Sequence, residues 1–254
     1  MAINPGLCCG IPLGFLTGAR ESVHNSRMAT VSDFNFEGWV RTAKERIESL
    51  PKRESGEVEA EVNVTPPFDP DEINNLVSEL GRPIPQGLRA FLERGSGGFV
   101  FRYKWTPSGA EAKGIKSALD EDSAWGGGEF CQAVSFSQWL SDCKEWAEDT
   151  WVADSPEDLD FWTKSFPILY MDNADFIALD ERTESDDPAV VYLSHDDESK
   201  VIAPSFTAFL KEWERLHYIG PESWMLEPFL NEEGYVSGET KAAEALRQAF
   251  GEKA

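Results

Sequence analysis

Four short apolar segments lie close together between residues 166 and 203, and they constrain the fold more than any other feature of the sequence. The segments are FPILYM, DFIALD, PAVVYLS and KVIA, and turn residues such as Asp, Asn and Ser separate them. Segments of this kind are typical of strands. Helical patterns lie on both sides of the cluster, so the sequence predicts an α+β fold in which helices flank an antiparallel sheet.

Capping residues and apolar spacing predict where the helices begin and end. Asp69 is expected to cap one helix, since Pro70 lies in its first turn and Glu72 is the third residue after the cap, and Gly81 is expected to end it. Ser205 is expected to cap another helix. The face of that helix predicted to pack on the sheet carries Phe206, Phe209, Leu210 and Trp213. Further helical patterns cover residues 36–50, 83–92, 136–147 and about 239–250.

The remaining segments give weaker patterns. The run GFVFRYKW, residues 98–105, predicts a strand, and EVEAEVNV, residues 57–64, predicts a half-buried strand or an extended lead-in without a partner. Residues 106–130 are rich in turn formers, and the three glycines at 126–128 predict a flexible loop. The segment CQAVS at 131–135 predicts a short strand.

These elements divide the chain into four parts. Proline and glycine interrupt the mildly apolar start of the chain, which predicts an irregular tail, and Met28 is an alternative start. The expected parts are a disordered tail (1–32), an N-terminal helix with an extended segment (33–67), a single main domain (68–218) and a C-terminal helical extension (219–254).

The charge of the chain limits the partners it can bind. The 254 residues carry 46 acidic and 23 basic side chains, a formal net charge of −23. Phosphate backbones and anionic membranes repel such a protein, so we expect neither a nucleic-acid nor a membrane partner. A basic protein partner is favoured, although the same charge also serves solubility alone. No apolar run could span a membrane and no cysteine spacing indicates a disulfide framework, so we expect a cytoplasmic protein.

The sequence contains no frame that is typical of catalysis or cofactor binding. Phosphate-loop, HExxH and GxSxG motifs are absent, and no histidine has a second ligand at metal-binding spacing. His195 precedes Asp196 in a segment that fits either a surface turn or a general base. We therefore predict a protein that is not an enzyme and that uses no cofactor and no metal. The abundant carboxylates leave an acidic hydrolase as a third alternative.

Acidic residues cluster in two stretches, 120–160 and 172–198, which contain Lys144 and Arg182 as their only basic residues. Clustered charge of one sign speeds the encounter with a basic surface. Trp125, beside the glycines, is the predicted exposed anchor. The aspartates at 186, 187, 196 and 197 are expected on neighbouring loops at one end of the sheet. The candidate partner-binding residues are Asp120, Glu121, Asp122, Trp125, Asp186, Asp187, Asp196, Asp197 and Glu198.

Two segments resemble the SUKH superfamily. The first, residues 72–99, contains a helix, a Leu-Gly pair, a proline turn, a Phe-Leu pair and a glycine pair. The second, residues 166–213, contains Phe-Pro, a turn and strand, a Val-Tyr strand, an Asp-rich turn and a Ser-Phe helix. Asn173 and Ala174 depart from the pattern, because a glycine-bearing turn is common there.

The resemblance implies a compact α+β binding domain without cofactor or catalytic residues. Fungal founders of the superfamily regulate cell-wall synthesis, and many bacterial members are immunity proteins whose variable surface residues bind a particular toxin, often a basic nuclease. The first expectation is therefore an immunity protein that neutralises a basic bacterial toxin. A regulatory protein similar to the fungal branch is the alternative.

Overall fold

The computed structural model describes residues 31–52, 55–171 and 173–252. Residues 1–30, most of the predicted tail, lie outside these ranges. The last two residues of the predicted tail are ordered: Val31 and Ser32 begin a short 3₁₀ helix, and Val31 is buried. Arg94 donates hydrogen bonds to the carbonyl oxygens of both residues, which ties this turn to the core.

Seven strands form one antiparallel sheet, and their order in the sheet is their order in the chain. They are β1 (Glu57–Thr65), β2 (Gly98–Thr106), β3 (Ala124–Phe130), β4 (Ser165–Tyr170), β5 (Phe176–Asp180), β6 (Val190–Leu193) and β7 (Lys200–Ala203). Strands β3 and β4 share only two residue pairs, whereas β1 and β2 pair along all nine residues. The predicted α+β fold with an antiparallel sheet is confirmed.

Ten α-helices accompany the sheet within the described ranges. They are α1 (Phe36–Ser49), α2 (Pro70–Leu80), α3 (Gln86–Arg94), α4 (Gly109–Leu119), α5 (Phe136–Ala147), α6 (Thr150–Asp154), α7 (Pro156–Thr163), α8 (Phe206–Arg215), α9 (Ser223–Leu226) and α10 (Lys241–Ala249). None of these described helices combines the length and the apolar composition needed to cross a bilayer.

Helix α2 begins and ends as predicted. The Asp69 carboxylate accepts hydrogen bonds from the backbone N–H groups of Asp71 and Glu72, and the Glu72 carboxylate accepts one from the Asp69 N–H. Both carboxylates thus accept hydrogen bonds from N–H groups that have no partner within the helix. Gly81 ends the helix in the left-handed conformation, with φ at 63°.

An aromatic core lies between one face of the sheet and helices α1, α3 and α8. Trp39 of α1 packs against Phe101 of β2 and Trp213 of α8, with ring centroids 6.4 and 6.2 Å apart. Phe91 of α3 meets Phe130 of β3 edge to face at 5.2 Å. Ring pairs at these distances and angles stabilise the fold beyond the free energy gained by burying their apolar area. Helix α1, which precedes the predicted main domain, therefore contributes to the same core.

Helix α8 is buried on the predicted face. Its four predicted core residues, Phe206, Phe209, Leu210 and Trp213, are fully buried. The Ser205 hydroxyl accepts a hydrogen bond from the N–H of Ala208, as expected of the cap. The indole of Trp39 donates to the Leu210 carbonyl oxygen at 2.9 Å, which joins α1 to α8.

Among the described helices, α5 and α7 cover the other face of the sheet, at strands β4 to β6. Trp139 of α5 and Trp162 of α7 both pack against Phe176 of β5, at 6.4 and 6.2 Å. On β2 the side chains that point to this face, Arg102 and Lys104, are exposed. No helix of the described residues therefore covers this face at strands β1 to β3.

The predicted loop at the three glycines was wrong, because residues 126–128 form the middle of β3. In addition to its short pairing with β4, this strand forms backbone hydrogen bonds with the segment 218–220. The Gly127 N–H donates to the Tyr218 carbonyl oxygen at 2.9 Å, and the Gly220 N–H donates to the Trp125 carbonyl oxygen at 3.1 Å. A Cβ atom on Gly126 would lie 2.4 Å from the Tyr218 carbonyl oxygen. The glycines thus allow two backbones to approach, rather than making the chain flexible.

Two neighbouring predictions also fail. The segment predicted as turn-rich contains helix α4. Small residues of α4 allow α10 to approach closely, since a Cβ on Gly114 would lie 2.8 Å from the Ala249 Cβ of α10. The same small residues make the helical pattern hard to recognise in the sequence. The strand predicted at 131–135 is absent, because Cys131 leaves the strand conformation with φ at 48° and a 3₁₀ helix follows at Ala133–Ser135. The C-terminal helix predicted near 239–250 is confirmed as α10.

Strand β1 forms one edge of the sheet, and it confirms the strand alternative for its segment. It is more exposed than expected, since only Val58 and Val62 are half-buried and Val64 is 38% exposed. Glu59 lies opposite Lys104 in the β1–β2 register, and Glu61 lies opposite Arg102. Because β1 precedes residue 68, the sheet extends beyond the predicted main domain.

The glutamates of β1 are expected to keep two copies of the protein from pairing along this edge. If two copies pair their β1 edges about a two-fold axis, their glutamates lie on the same face of the extended sheet. Like charges then lie opposite each other or nearby. Replacing Glu59 and Glu61 with threonine should therefore raise self-association at least about tenfold, as measured by sedimentation velocity over a concentration series. The matched variant with aspartate at both positions keeps the negative charge and should behave like the parent. An unchanged distribution for the threonine variant would contradict this role.

Candidate functional site

The candidate residues at 120–125 lie where α4 turns into β3. Asp120 takes a left-handed conformation at the end of α4, and its carboxylate lies 3.2 Å from the Lys116 ammonium. Trp125 is 43% exposed on β3, which agrees with the expectation of an exposed side chain. The Lys104 ammonium lies 5.2 Å from the centre of its ring, so a cation from this chain already occupies one side of the indole.

The sequence predicted that Asp186, Asp187, Asp196 and Asp197 lie on neighbouring loops at one end of the sheet. That prediction was wrong. Asp186 and Asp187 lie in the β5–β6 loop, whereas Asp196 and Asp197 lie in the β6–β7 turn. Because β6 is antiparallel to both neighbours, the two connections leave it at opposite ends. Asp187 also has a structural role, since its carboxylate accepts hydrogen bonds from the Thr207 N–H and hydroxyl at the start of α8.

Two depressions lie side by side where α5, α6 and α7 meet the β4–β5 and β6–β7 turns. The first encloses about 590 Å³ and is lined by Asp142, Glu145, Trp146, Glu148, Asp149, Tyr170, Ala174 and Phe176. The second encloses about 750 Å³ and is lined by Asp149, Trp151, Asp154, Ser155, Asp158, Asp197 and Glu198. Asp149 lines both depressions, so they form one continuous surface, which we call the acidic–aromatic surface.

Eight carboxylates line the acidic–aromatic surface. Within residues 31–52, 55–171 and 173–252, none of the eight forms an ion pair with a basic side chain; they are Asp142, Glu145, Glu148, Asp149, Asp154, Asp158, Asp197 and Glu198. Some acidic residues elsewhere do have such partners, as in the contacts of Glu181 with Arg82 and of Asp180 with Arg182. The surface therefore concentrates uncompensated negative charge.

Two of these carboxylates also fix the local backbone. Asp149 begins α6, because its carboxylate accepts a hydrogen bond from the Trp151 N–H at 3.0 Å. Asp158 is buried and accepts from the Ser155 hydroxyl at 2.6 Å and from the Ser199 N–H at 2.8 Å. The second contact ties α7 to the β6–β7 turn, which brings Asp197 and Glu198 beside α6.

A buried carboxylate, Asp175, holds the same turn from the other side. It accepts hydrogen bonds from the Tyr192 hydroxyl at 2.6 Å, the His195 N–H at 3.0 Å and the Asn173 amide at 2.7 Å. The His195 Nδ1 atom lies 2.8 Å from the same carboxylate, and the ring packs 4.9 Å from the Trp146 ring. Burial, together with the Asp175 hydrogen bond, raises the pKa of Tyr192, so its hydroxyl stays a donor.

The Asp175 cluster is also where the described residues come nearest to a metal site. Asp175, His195 and Asp196 place one ligand atom each within 4.8 Å of one another. The Asp175 oxygens already accept the hydrogen bonds given above, so this geometry positions a turn and provides no free ligand set. His195 therefore belongs to a structured turn, and sequence reasoning did not reveal its buried partner.

Two cysteines and two glutamates whose pKa is raised by burial lie outside the acidic–aromatic surface. Burial raises the pKa of the Cys131 and Cys143 thiols, which keeps both protonated. Burial also raises the pKa of Glu181 and of Glu214. Glu181 contacts Arg82, and neither glutamate lines the two depressions. These features give no support to the hydrolase alternative.

Only part of this surface is predictable from the sequence. Asp196, Asp197 and Glu198 were candidates, and their turn does meet the surface through Asp197 and Glu198. The acidic residues of α5 and α6 were recognised as part of a charged stretch but not chosen as candidates. Acidic residues recur every third position from 142 to 148, along α5 and its C-terminal cap. That spacing is ambiguous by itself, because a solvated helix face gives the same pattern.

The family model described as the SMI1/KNR4 family (SUKH-1) matches residues 67–212, which is more than half of the chain. The chain belongs to this family, and the predicted SUKH membership is confirmed. No curated protein matches the chain. The matched region begins after β1 and ends within α8, so α1, β1, α9 and α10 lie outside it.

Proposed function

We propose that this chain binds a basic protein through the acidic–aromatic surface, and that it acts as a cytoplasmic immunity protein that neutralises a basic bacterial toxin. The observation that carries the proposal is the set of eight carboxylates without ion-pair partners in the described residues, placed around aromatic side chains. Membership of a family that is generally not catalytic supports a binding role.

Two physical effects favour binding at this surface: long-range attraction between opposite charges and short-range contact with aromatic side chains. Charge of one sign on one surface attracts an oppositely charged partner and raises the association rate, most strongly at low ionic strength. Aromatic side chains supply contact area with little loss of conformational entropy, and they are enriched among residues that dominate binding energy. Trp151, which is exposed, and Tyr170, which is half-buried, place such groups among the carboxylates.

The first experiment identifies the partner and its activity. The chain is used to capture proteins from its host, and the captured protein is expressed with and without the chain. An immunity protein predicts a basic partner whose expression stops growth and whose toxicity is relieved by the chain. A captured partner that is not toxic would contradict the immunity role and favour the regulatory alternative.

The second experiment tests the surface through association kinetics. Replacing Glu145, Glu148, Asp154 and Glu198 with their amides removes four charges from side chains that hold no cap or turn. The association rate with the captured partner should fall at least about tenfold at low salt, and the wild-type rate should fall as salt is added.

A matched variant controls for net charge. It removes four charges elsewhere, at Glu121, Asp122, Glu184 and Asp186, which lie in the α4–β3 turn and the β5–β6 loop. This variant should associate at nearly the wild-type rate. Equal slowing of both variants, or a wild-type rate that does not depend on salt, would move the interface away from the acidic–aromatic surface.

A further inference from the structure

The second depression of the acidic–aromatic surface has an exposed indole among carboxylates. Trp151 is 57% exposed, more than either of the other exposed tryptophans in the described residues, Trp125 and Trp224. Asp149, Asp154, Asp197 and Glu198 line the same depression, with a volume of about 750 Å³. No basic side chain of the described chain lines it. The depression thus joins an aromatic wall to concentrated negative charge.

The two other exposed tryptophans have local partners that Trp151 lacks within the described chain. The Lys104 ammonium lies 5.2 Å from the Trp125 ring centre. The Trp224 indole N–H donates to the Glu222 carboxylate at 2.6 Å. None of the cation–ring contacts among the described residues involves Trp151. As far as the described residues are concerned, its ring face is available to a cation from another molecule.

We infer that this depression receives an arginine side chain of the partner, which stacks its guanidinium on Trp151 and donates hydrogen bonds to the surrounding carboxylates. Arginine fits better than lysine for two reasons. A planar guanidinium stacks on an indole, and its five N–H donors can bond carboxylates at its edge while its face stays on the ring. A lysine ammonium is a compact, strongly hydrated charge that cannot stack in this way. The inference rests on the proposed function and gives it a specific contact.

The test uses three peptides that differ in one side chain. They are N-acetyl-Gly-Arg-Gly-amide and the same peptide with lysine or with citrulline, which has nearly the shape of arginine without its charge. Binding is followed through the indole N–H signals of the full-length protein with ¹⁵N-labelled tryptophan. The arginine peptide should shift the Trp151 signal and bind about tenfold more tightly than the citrulline peptide, with the lysine peptide between them.

Variants separate the indole from the charge. Trp151→Ala should abolish the difference between arginine and citrulline, and Trp151→Phe should retain part of it because a ring remains. Binding by Trp151→Ala is then read from the shifts of backbone N–H signals near the depression, which also report whether the fold is intact. Trp224→Ala, which removes an exposed tryptophan outside the depression, should bind all three peptides like the parent.

Several results would overturn the inference. They are equal binding of the arginine and citrulline peptides, tighter binding of lysine than arginine, or an arginine preference that survives in Trp151→Ala. If a captured basic protein binds the acidic–aromatic surface while the arginine peptide shows no preference, this inference fails and the proposed function stands. If the peptide result is as expected but no basic protein partner binds this surface, the proposed function fails on its own.

Discussion

Phe209→Ala is expected to lower the free energy of unfolding by about 3–5 kcal/mol, the range measured when a buried aromatic side chain is truncated. The Phe209 ring is fully buried in α8 and stacks on the Trp213 ring at 5.3 Å. Removing it loses the transfer free energy of the ring and leaves a cavity that the surrounding aromatic core fills only in part. Denaturant unfolding followed by circular dichroism measures the change.

An exposed position on the same helix provides the control. Lys211 lies two residues from Phe209 and its side chain is exposed. Lys211→Ala should change stability by less than about 0.5 kcal/mol, as is usual for surface substitutions. A loss below about 1 kcal/mol for Phe209→Ala would show that α8 does not pack on the core as described.

Gly127→Ala is expected to cost about 3 kcal/mol or more, because it combines a steric clash with an unfavourable backbone conformation. A Cβ atom at this position would lie 1.9 Å from the Phe101 carbonyl oxygen, and the backbone has φ at 85°. The clash is with the backbone of the neighbouring strand, so rotation of a side chain cannot relieve it. The loss should be accompanied by faster hydrogen exchange in β2, β3 and the segment 218–220.

Gly81→Ala isolates the conformational part of that cost. Gly81 also has a positive φ, at 63°, but no atom lies within 4 Å of the Cβ that alanine would add. Its substitution should cost only about 1–2 kcal/mol, the penalty for a left-handed residue with a side chain. If both variants lost the same stability, the close approach between β2 and β3 would have no energetic role.

Residues with a fixed local role made most of the fold predictable. Asp69 and Ser205 cap helices wherever the following residues form one, and Gly81 ends a helix for the same local reason. Strand β3 could not be predicted, because its glycines are required by a segment that comes much later in the chain. Nothing near Gly127 in sequence indicates that the Tyr218 carbonyl oxygen will accept its hydrogen bond.

The candidate site was predictable in its charge but not in its location. The acidic stretches are visible in the sequence, yet which of them meet depends on strand direction and on helix placement. Asp186 and Asp197 are near each other in the chain but lie at opposite ends of β6. Asp154 and Asp197 are farther apart in the chain but line one depression, because buried Asp158 bonds the turn between β6 and β7.

The strand order has a consequence for the order of events during synthesis. Each strand pairs with the strand made just before it, so the sheet can grow as the chain leaves the ribosome, without waiting for a distant partner. Some contacts do wait for a distant partner, since the Trp39 indole of α1 donates a hydrogen bond to the Leu210 carbonyl oxygen of α8, 171 residues away, and β3 bonds the segment 218–220. Helix α1, the first α-helix of the described residues, is therefore among the last elements to reach its final contacts, and its docking on α8 closes the core.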